Sequence, residues 1–364
     1  MNVIYSLPYI LLFFMCMLLA STAQKRNRVH YVIILISVLT VFAGLRADSV
    51  GIDTSTYITN LSNGYYKLYE IGFQKLSSFF EDGRNVEIYL MVIGAIIYTL
   101  IIMRLWELRN IANFPFSVFL FLIMHFAPSM NTMRQYLACA IVFWGTRFLF
   151  SKKVILYLIC ILIAMTFHRT AIIGAGFLLI YFLYWKQMRV YQKLASIAFL
   201  MILPIGLYYI YVFELRSYVF ARMEYYFSNQ GDTGLFIYLQ IFTIICVYFL
   251  SRNYRLRMSY EGRRVCNIAL FFALLGLIIS LIGYYVLFMG RIALYFELFT
   301  VVFYAIIWRA TVVQSSGETV RRSGTVILSQ NALVQRTMIL FITVFPFIMQ
   351  IVNNSYKILP YVLR

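Results

Sequence analysis

Several ionisable side chains lie at or inside the ends of long apolar segments, where a charge is costly. They are Arg46, Arg134, His168, Arg169, Arg291 and Glu297. Ionisable residues in such places usually line a cavity or pair with one another. Three arginines from separate segments suit a phosphate-bearing ligand, because the planar guanidinium binds two oxygens at once. The sequence therefore predicts an anionic ligand held by Arg46, Arg134 and Arg291.

Each of these arginines also has a structural interpretation. Arg46 closes a predicted helix, where a cation interacts favourably with the helix dipole. Arg134 could extend its charge to the membrane surface while its aliphatic stem stays in the apolar region. Arg291 precedes Glu297 on one predicted helix and could pair with it, and it shares a face with Tyr295. The residues alone leave these alternatives open.

Two acids and a tyrosine add chemistry that arginine lacks. Asp53 precedes a predicted short helix that begins at Thr54. It either caps that helix or serves the site, and Tyr57, four positions on, shares its face. Glu70 lies in the amphipathic stretch LYEIGFQKL, which is compatible with a re-entrant helix and equally with a solvated acid. Asp53 and Glu70 are therefore candidate bases.

His168 is the third candidate base. A histidine in a membrane protein is more often a hydrogen-bonded structural residue than a catalyst. The position of His168 at an outward corner, next to Arg169, favours function. His30 and His125 have no such setting, and we predict structural roles for both.

The composition predicts a membrane scaffold for these residues. Of the 364 residues, 63% are hydrophobic and 12% are charged, whereas soluble domains are about half apolar and about a quarter charged. Repeated apolar segments of spanning length indicate an all-α bundle rather than a barrel. We divide the chain into twelve spans at about 3–22, 29–45, 86–105, 113–128, 134–150, 154–168, 170–185, 194–213, 235–251, 265–283, 291–308 and 337–352.

The net charge of +18 reflects topology and does not indicate nucleic-acid binding. With these spans, one side receives the connections 23–28, 104–112, 151–153, 186–193, 251–264 and 309–336. That side holds most of the 31 Lys and Arg but only Glu107, Glu261 and Glu318 of the 13 acids. The positive-inside rule makes it the cytoplasm and places both termini outside. The basic residues 25–28 follow the first span, so we predict an uncleaved span rather than a signal peptide.

We predict a single integral membrane domain over 1–364 with its functional site at the outer face. The outer (periplasmic) loops 46–85 and 214–234 are rich in Tyr and are predicted to contain re-entrant or interfacial helices. The cytoplasmic loop 309–336 has a composition typical of a flexible loop, most clearly over 311–335. The five cysteines are scattered, which favours core packing over disulfides. No nucleotide or metal motif is present, so no cofactor and no metal are expected.

Five stretches of the sequence form an ordered set of weak motifs. They are GLRADSVGIDTSTY (44–57), YEIGFQKLSSF (69–79), SMNTMRQYLACAIVFWGTRFL (129–149), SKKVILYLICILIAMTFHRTAII (151–173) and GRIALYF (290–296). The set resembles the EpsG/Wzy family of bacterial O-antigen and exopolysaccharide polymerases. The sequence departs from the family pattern at two places. Arg169 and Thr170 follow the histidine where Ser is common, and Asn131 precedes Met-Arg-Gln in place of Ser.

The resemblance implies a fold like that of the lipid-donor membrane glycosyltransferases. It implies a metal-independent polymerase at the outer face of the bacterial inner membrane, which transfers a growing glycan from undecaprenyl pyrophosphate to a lipid-linked repeat unit. The implied pyrophosphate ligands are Arg46, Arg134, Arg291 and Arg169. The implied base is His168, then Asp53, then Glu70, with Tyr57 and Tyr295 orienting a sugar or the lipid phosphate. The bilayer, a chain-length regulator and a flippase are the other expected partners.

Two other functions remain open at this point. An O-antigen ligase would use the same donor but a different acceptor, the lipid A core. A flippase or other transporter of lipid-linked oligosaccharides should carry charge through the depth of the bundle and often contains a repeat. The charges here are pooled at the outer face and no repeat is visible, which favours the polymerase.

Overall fold

The computed structural model describes residues 6–81, 85–180, 234–256, 258–285, 287–319, 330–354 and 356–364. Every regular element within these ranges is helical, which confirms the all-α prediction. The α-helices are α1 (Leu7–Arg26), α2 (Val29–Gly44), α3 (Thr54–Ser62), α4 (Ile71–Ser78), α5 (Val86–Glu107), α6 (Phe114–Phe121), α7 (Ala127–Asn131), α8 (Met133–Phe150), α9 (Val154–Phe167), α10 (Gly234–Leu250), α11 (Arg252–Leu256), α12 (Tyr260–Tyr285), α13 (Leu287–Thr319) and α14 (Gln330–Val352). Short 3₁₀ helices occupy Tyr65–Leu68, Leu108–Asn110 and Arg169–Phe177.

Among the described residues, six helical segments are long and apolar enough to cross a membrane. They are Leu7–Arg26, Val86–Asn110, Phe114–Asn131, Tyr260–Gly283, Met289–Thr311 and Leu333–Val352, and shorter apolar helices accompany them at Val29–Gly44, Val154–Phe167, Arg169–Ile180 and Ile237–Leu250. Large apolar side chains such as Phe14, Leu162 and Phe242 are more than half exposed, an arrangement that suits contact with lipid. The chain is a multi-pass membrane protein, and the count of twelve spans stays a prediction.

Several predicted boundaries differ from the structure. The first span, predicted at 3–22, is the helix Leu7–Arg26, which carries Lys25 and Arg26 in its last turn, where cations suit the helix dipole. The span predicted at 170–185 begins as a 3₁₀ helix, Arg169–Phe177. Helices α13 and α14 extend into the loop predicted at 309–336 from both ends, so that loop is shorter than predicted.

Three predicted segments lie largely outside the described residues, and the first of them is the connection 186–193. The span at 194–213 lies outside the described residues. The outer loop 214–234 also lies outside them except at its last residue, where α10 begins.

The helical segment Phe114–Asn131 is interrupted at Thr132, before α8 begins. Asn113 caps α6 by accepting a hydrogen bond from the backbone N–H of Phe116 at 3.0 Å. A π-helical turn, Leu122–Phe126, joins α6 to α7, and α8 starts directly after Thr132. The end of α7 and the start of α8 therefore meet at one end of the bundle, where α2 and α9 also terminate and α13 begins.

The last residues of the chain run back along the loop that follows α2. Arg46 and Leu363 form an isolated antiparallel bridge, and the N–H of Ala47 donates to the carbonyl of Val362 at 2.8 Å. Arg364 forms an ion pair with Asp48. This C-terminal strap, residues 357–364, fixes the backbone that leads into α3.

A group of phenylalanines packs the 3₁₀ segment after α9 against the α12–α13 hairpin. The ring of Phe177 lies 4.6 Å from Phe272, 5.0 Å from Phe296 and 5.2 Å from Phe299, measured between centroids. Aromatic rings at such distances bury much apolar area and add specific edge and stacking contacts. These contacts fix the position of α9 relative to α13. His168 follows the end of α9, and Arg291 lies near the start of α13.

Candidate functional site

An ion pair between Glu70 and Arg134 joins two distant parts of the chain. Arg134 Nη1 lies 2.6 Å from Glu70 Oε2, and the two side chains are only 22% and 13% exposed. The guanidinium also lies over the ring of Tyr69, 4.2 Å from its centroid, an attractive cation–π geometry. The backbone N–H of Arg169 donates to Glu70 Oε1 at 3.1 Å. Glu70 therefore ties the start of α8 to the corner after α9 and fixes the direction of the Arg134 charge.

Close packing of α4 on α9 makes this ion pair possible. A Cβ atom added at Gly72 would lie 2.3 Å from Thr166 Oγ1 and 2.9 Å from the Thr166 carbonyl oxygen. Glu70 is the residue before α4 and His168 is the residue after α9. The absence of a side chain at Gly72 thus lets the two candidate site residues approach each other.

We expect Gly72→Ala to separate these two elements and to weaken the site. The added methyl group meets backbone as well as side chain, so α4 has to move away from α9 and carry Glu70 with it. We expect a loss of about tenfold or more in the activity of the site, measured in isolated membranes with equal amounts of protein. Gly290→Ala is the matched control, because a Cβ atom there meets nothing within 4 Å. An equal loss in both variants would contradict this explanation.

His168 ends α9 in an extended conformation and is held by Thr170. Its Nδ1 accepts the backbone N–H of Thr170 at 3.3 Å and lies 2.8 Å from Thr170 Oγ1. That hydroxyl lies 3.0 Å from the phenol oxygen of Tyr295 on α13. Burial, and then the nearby Arg134 charge, lower the pKa of His168 to about 4, so its imidazole is neutral at pH 7.

Asp53 lies at the start of α3 without capping it. The helix begins at Thr54 as predicted, but the Asp53 side chain makes no capping hydrogen bond. Asn131 shapes this turn instead, since its Oδ1 accepts the backbone N–H of Ile52 at 2.5 Å and that of Asp53 at 3.4 Å. Partial burial raises the pKa of the Asp53 carboxyl, and the Arg291 charge opposes that shift.

The turn before Asp53 requires a glycine. Gly51 has a φ of +102°, a conformation that side chains with a Cβ rarely adopt. A Cβ there would also lie 2.7 Å from Thr54 Oγ1 and 3.0 Å from Asn131 Oδ1. The same glycine N–H donates to the carbonyl of Lys357 in the C-terminal strap at 2.8 Å. The orientation of Asp53 therefore depends on both Asn131 and the strap.

Tyr57 faces the start of α8. Its phenol is a hydrogen-bond partner of the Arg134 backbone, and burial raises its pKa to about 12, with the Arg134 charge acting in the opposite direction. The phenol therefore keeps its proton at neutral pH. It remains a hydrogen-bond donor, the property that orienting a sugar or a phosphate oxygen requires.

Arg46 has a different environment from the other predicted pyrophosphate ligands. It is 1% exposed. Its Nε donates to Thr54 Oγ1 at 3.2 Å and its Nη2 to the Met130 carbonyl at 2.9 Å, while Nη1 contacts the Ala43 carbonyl. These acceptors belong to α2, α3 and α7. In this structure Arg46 connects three helix ends from inside the protein and does not present its donors to a ligand.

Arg291 is exposed at the start of α13, and its backbone is fixed by a buried neighbour of Arg134. Gln135, which is 3% exposed, donates from Nε2 to the Arg291 carbonyl at 2.5 Å. Further along α13, Glu297 accepts a hydrogen bond from Ser280 at 3.2 Å. Arg134 and Gln135 thus have separate roles, one turned towards the charged cluster and the other holding the helix that brings Arg291.

These contacts define a charged cluster at one end of the bundle. Its members are Asp53, Tyr57, Glu70, Arg134, His168 and Arg291. Tyr295 contacts the cluster through the Thr170 hydroxyl, and Arg169 contacts it through its backbone N–H. Arg46 is bonded to Thr54, the residue that follows Asp53. No role was predicted for Tyr69, Gln135 or Thr170, although each is adjacent to, or two positions from, a residue with a predicted role. The described part of the chain contains no group of three or more His, Cys, Asp or Glu residues placed to hold a metal ion.

The EpsG family model matches residues 29–363. No curated protein and no solved structure matches the chain. The matched region contains the whole charged cluster and nearly all of the C-terminal strap.

Proposed function

The chain belongs to the EpsG family, whose members are generally glycosyltransferase-like polysaccharide polymerases, and from this premise we propose which reaction its charged cluster catalyses. The chain transfers a growing glycan from undecaprenyl pyrophosphate to a lipid-linked repeat unit. The reaction takes place at the outer face of the bacterial inner membrane. The product is a longer glycan on the acceptor lipid, and the donor lipid leaves as its pyrophosphate.

The observation that carries this proposal is the convergence of two arginines with an acid and a histidine at one end of an apolar bundle. Breaking a sugar–phosphate bond places negative charge on the departing pyrophosphate. Cations that are already oriented stabilise such charge most effectively, because they need no reorganisation during the reaction. Arg134 is oriented by Glu70 and Tyr69, and Arg291 is anchored through Gln135. We assign pyrophosphate binding to these two residues, with Arg169 at the edge.

The surroundings of the cluster also suit a lipid substrate. The helices that end there, α2 and α9, expose Ile33, Ile34, Leu162 and Ile163. A polyprenyl chain can remain in the bilayer beside such helices while its pyrophosphate reaches the charged end. The predicted topology turns this end to the periplasm. The sidedness, like the identity of the lipid, is part of the proposal.

The test is the length of surface glycan in cells that lack the gene. We expect the ladder of long chains on a gel to collapse to a single repeat, and wild-type protein to restore it. His168→Ala should fail to restore it at equal membrane abundance. His30→Ala is the matched control, because His30 is exposed and outside the cluster, and it should restore the ladder.

Other results would indicate other functions. Loss of the first repeat as well as the later ones would point to a ligase or a flippase. An intact ladder in the deletion strain would show that this chain is not the polymerase.

A further inference from the structure

The charged cluster contains three groups that could accept a proton from the attacking hydroxyl, and their hydrogen bonds distinguish them. Glu70 has both oxygens engaged, one by Arg134 at 2.6 Å and the other by the backbone N–H of Arg169 at 3.1 Å. Both oxygens therefore already accept hydrogen bonds within the protein, which leaves less lone-pair capacity for a substrate proton. Its contacts make Glu70 a residue that positions Arg134.

The contacts of His168 decide which of its nitrogens carries the proton. A backbone N–H can only donate, so Nδ1 accepts from Thr170 and is unprotonated. In a neutral imidazole the other nitrogen, Nε2, then carries the hydrogen and is a donor. If Nδ1 were protonated, its N–H would face the N–H of Thr170, and two donors would oppose each other. The free side of His168 therefore presents an N–H to its surroundings and has no lone pair for a substrate proton.

Asp53 is the remaining group, and among the described residues no donor occupies its carboxylate. Within the described part of the chain its oxygens accept no hydrogen bond, and they do not cap α3. Its backbone is held by Asn131. The charged and titratable groups that face it are Arg291 from α13 and Tyr57 from its own helix. A fixed backbone with unoccupied carboxylate oxygens is the arrangement that a general base requires.

We propose that Asp53 is the general base of the transfer and that His168 donates a hydrogen bond from Nε2 to the departing pyrophosphate. This assignment rests on the proposed function. The acceptor hydroxyl gives its proton to the Asp53 carboxylate while its oxygen bonds to the anomeric carbon of the donor sugar. The bond from that carbon to the phosphate oxygen breaks, and its electron pair stays on the pyrophosphate. Asp53 then releases the proton to water, and His168 gains and loses none.

The two roles predict different pH dependence. The rate falls as Asp53 becomes protonated, and because its pKa is raised by burial, this fall lies at higher pH than for an exposed aspartate. His168 donates from Nε2 in both its neutral and its charged form, so its titration removes no donor. The decrease in rate at low pH, the acid limb, should therefore depend on Asp53 and not on His168.

The experiment measures rate against pH with purified protein in lipid nanodiscs. The probe is the lipid-linked oligosaccharide extracted from cells that lack the gene. Asp53→Asn should lower the rate about 100-fold or more and remove the acid limb. His168→Gln places an amide N–H where Nε2 was, and should stay within about tenfold of wild type with the limb intact. His168→Ala should lose about 100-fold and also keep the limb.

Controls separate folding from chemistry. Glu81→Gln is an acid-to-amide control in the same outer segment, since Glu81 is exposed and pairs with Lys67, and it should match wild type. If Asp53→Asn elutes as an aggregate in size-exclusion chromatography, Asp53→Glu replaces it as the test. The displaced carboxylate should shift the acid limb to a different pH. An unshifted limb would overturn the proposal. A limb that survives in Asp53→Asn but disappears in His168→Gln would make His168 the base. Wild-type protein that extends no chain would instead reject the proposed function itself.

Discussion

Arg134→Ala is expected to abolish chain extension while the protein still folds and inserts. The residue carries the charge that the cluster holds most firmly, between Glu70 Oε2 and the Tyr69 ring. Removing an oriented donor from a site of developing negative charge costs about 100- to 1,000-fold in rate, and loss of an arginine from phosphoryl chemistry can cost more. We expect no polymer above one repeat in cells and normal elution of the purified variant.

A double substitution shows how Glu70 acts. If Glu70 only positions Arg134, then Glu70→Gln lowers the rate by itself but adds nothing in the Arg134→Ala background, because the residue through which it acts is already gone. A further loss in the double variant would show that Glu70 has a direct role in the chemistry. Arg147→Ala is the matched control on the same helix. Arg147 pairs with Glu107 near the opposite end of α8, and this variant should keep long chains.

The positions of the cluster residues could be anticipated because they follow from local rules. Apolar length marks where helices end, and a charge at such an end is costly unless it is used. Both ends of α2, α8 and α9 and the start of α13 fall within a few residues of the boundaries read from the sequence, whereas α13 continues to Thr319, well beyond its predicted end at 308. Antiparallel helices bring alternate ends together, so Arg134, His168 and Arg291 arrive at one end of the bundle.

What the sequence did not show are contacts that depend on tertiary structure. Arg46 was predicted to bind pyrophosphate, and nothing nearby in sequence indicates that Met130 would offer it a carbonyl. Residues 357–364 contain no signal for pairing with the loop after α2, because such pairing uses backbone groups that every residue has. The tautomer of His168 likewise follows from the local fold at Thr170 and not from residue type.

Arg46→Ala is expected to damage stability before chemistry. The side chain satisfies acceptors from three helix ends, and its removal leaves the Met130 and Ala43 carbonyls and Thr54 Oγ1 without this donor in a buried site. Each buried polar group left unsatisfied costs about 1 to 3 kcal/mol, and a cavity adds to the loss. We therefore expect a destabilisation of about 3 kcal/mol or more. It should appear as a clear fall in the melting temperature of the detergent-solubilised protein, followed by tryptophan fluorescence.

Two further variants separate this role from pyrophosphate binding. Arg46→Lys keeps the charge but cannot reach acceptors in several directions, so its melting temperature should fall between those of wild type and Arg46→Ala. Arg364→Ala removes ion pairs with Asp48 and Glu87, whose side chains are partly exposed, and should cost about 1 kcal/mol or less. If Arg46→Ala instead melts like wild type and loses only activity, Arg46 binds the substrate as the sequence predicted, and its burial must be relieved when the pyrophosphate enters. If Arg46→Ala instead melts at a lower temperature than wild type, the loop that carries Asp53 is held in place by a buried cation. Arg46 then supports the site by its contacts with three helix ends.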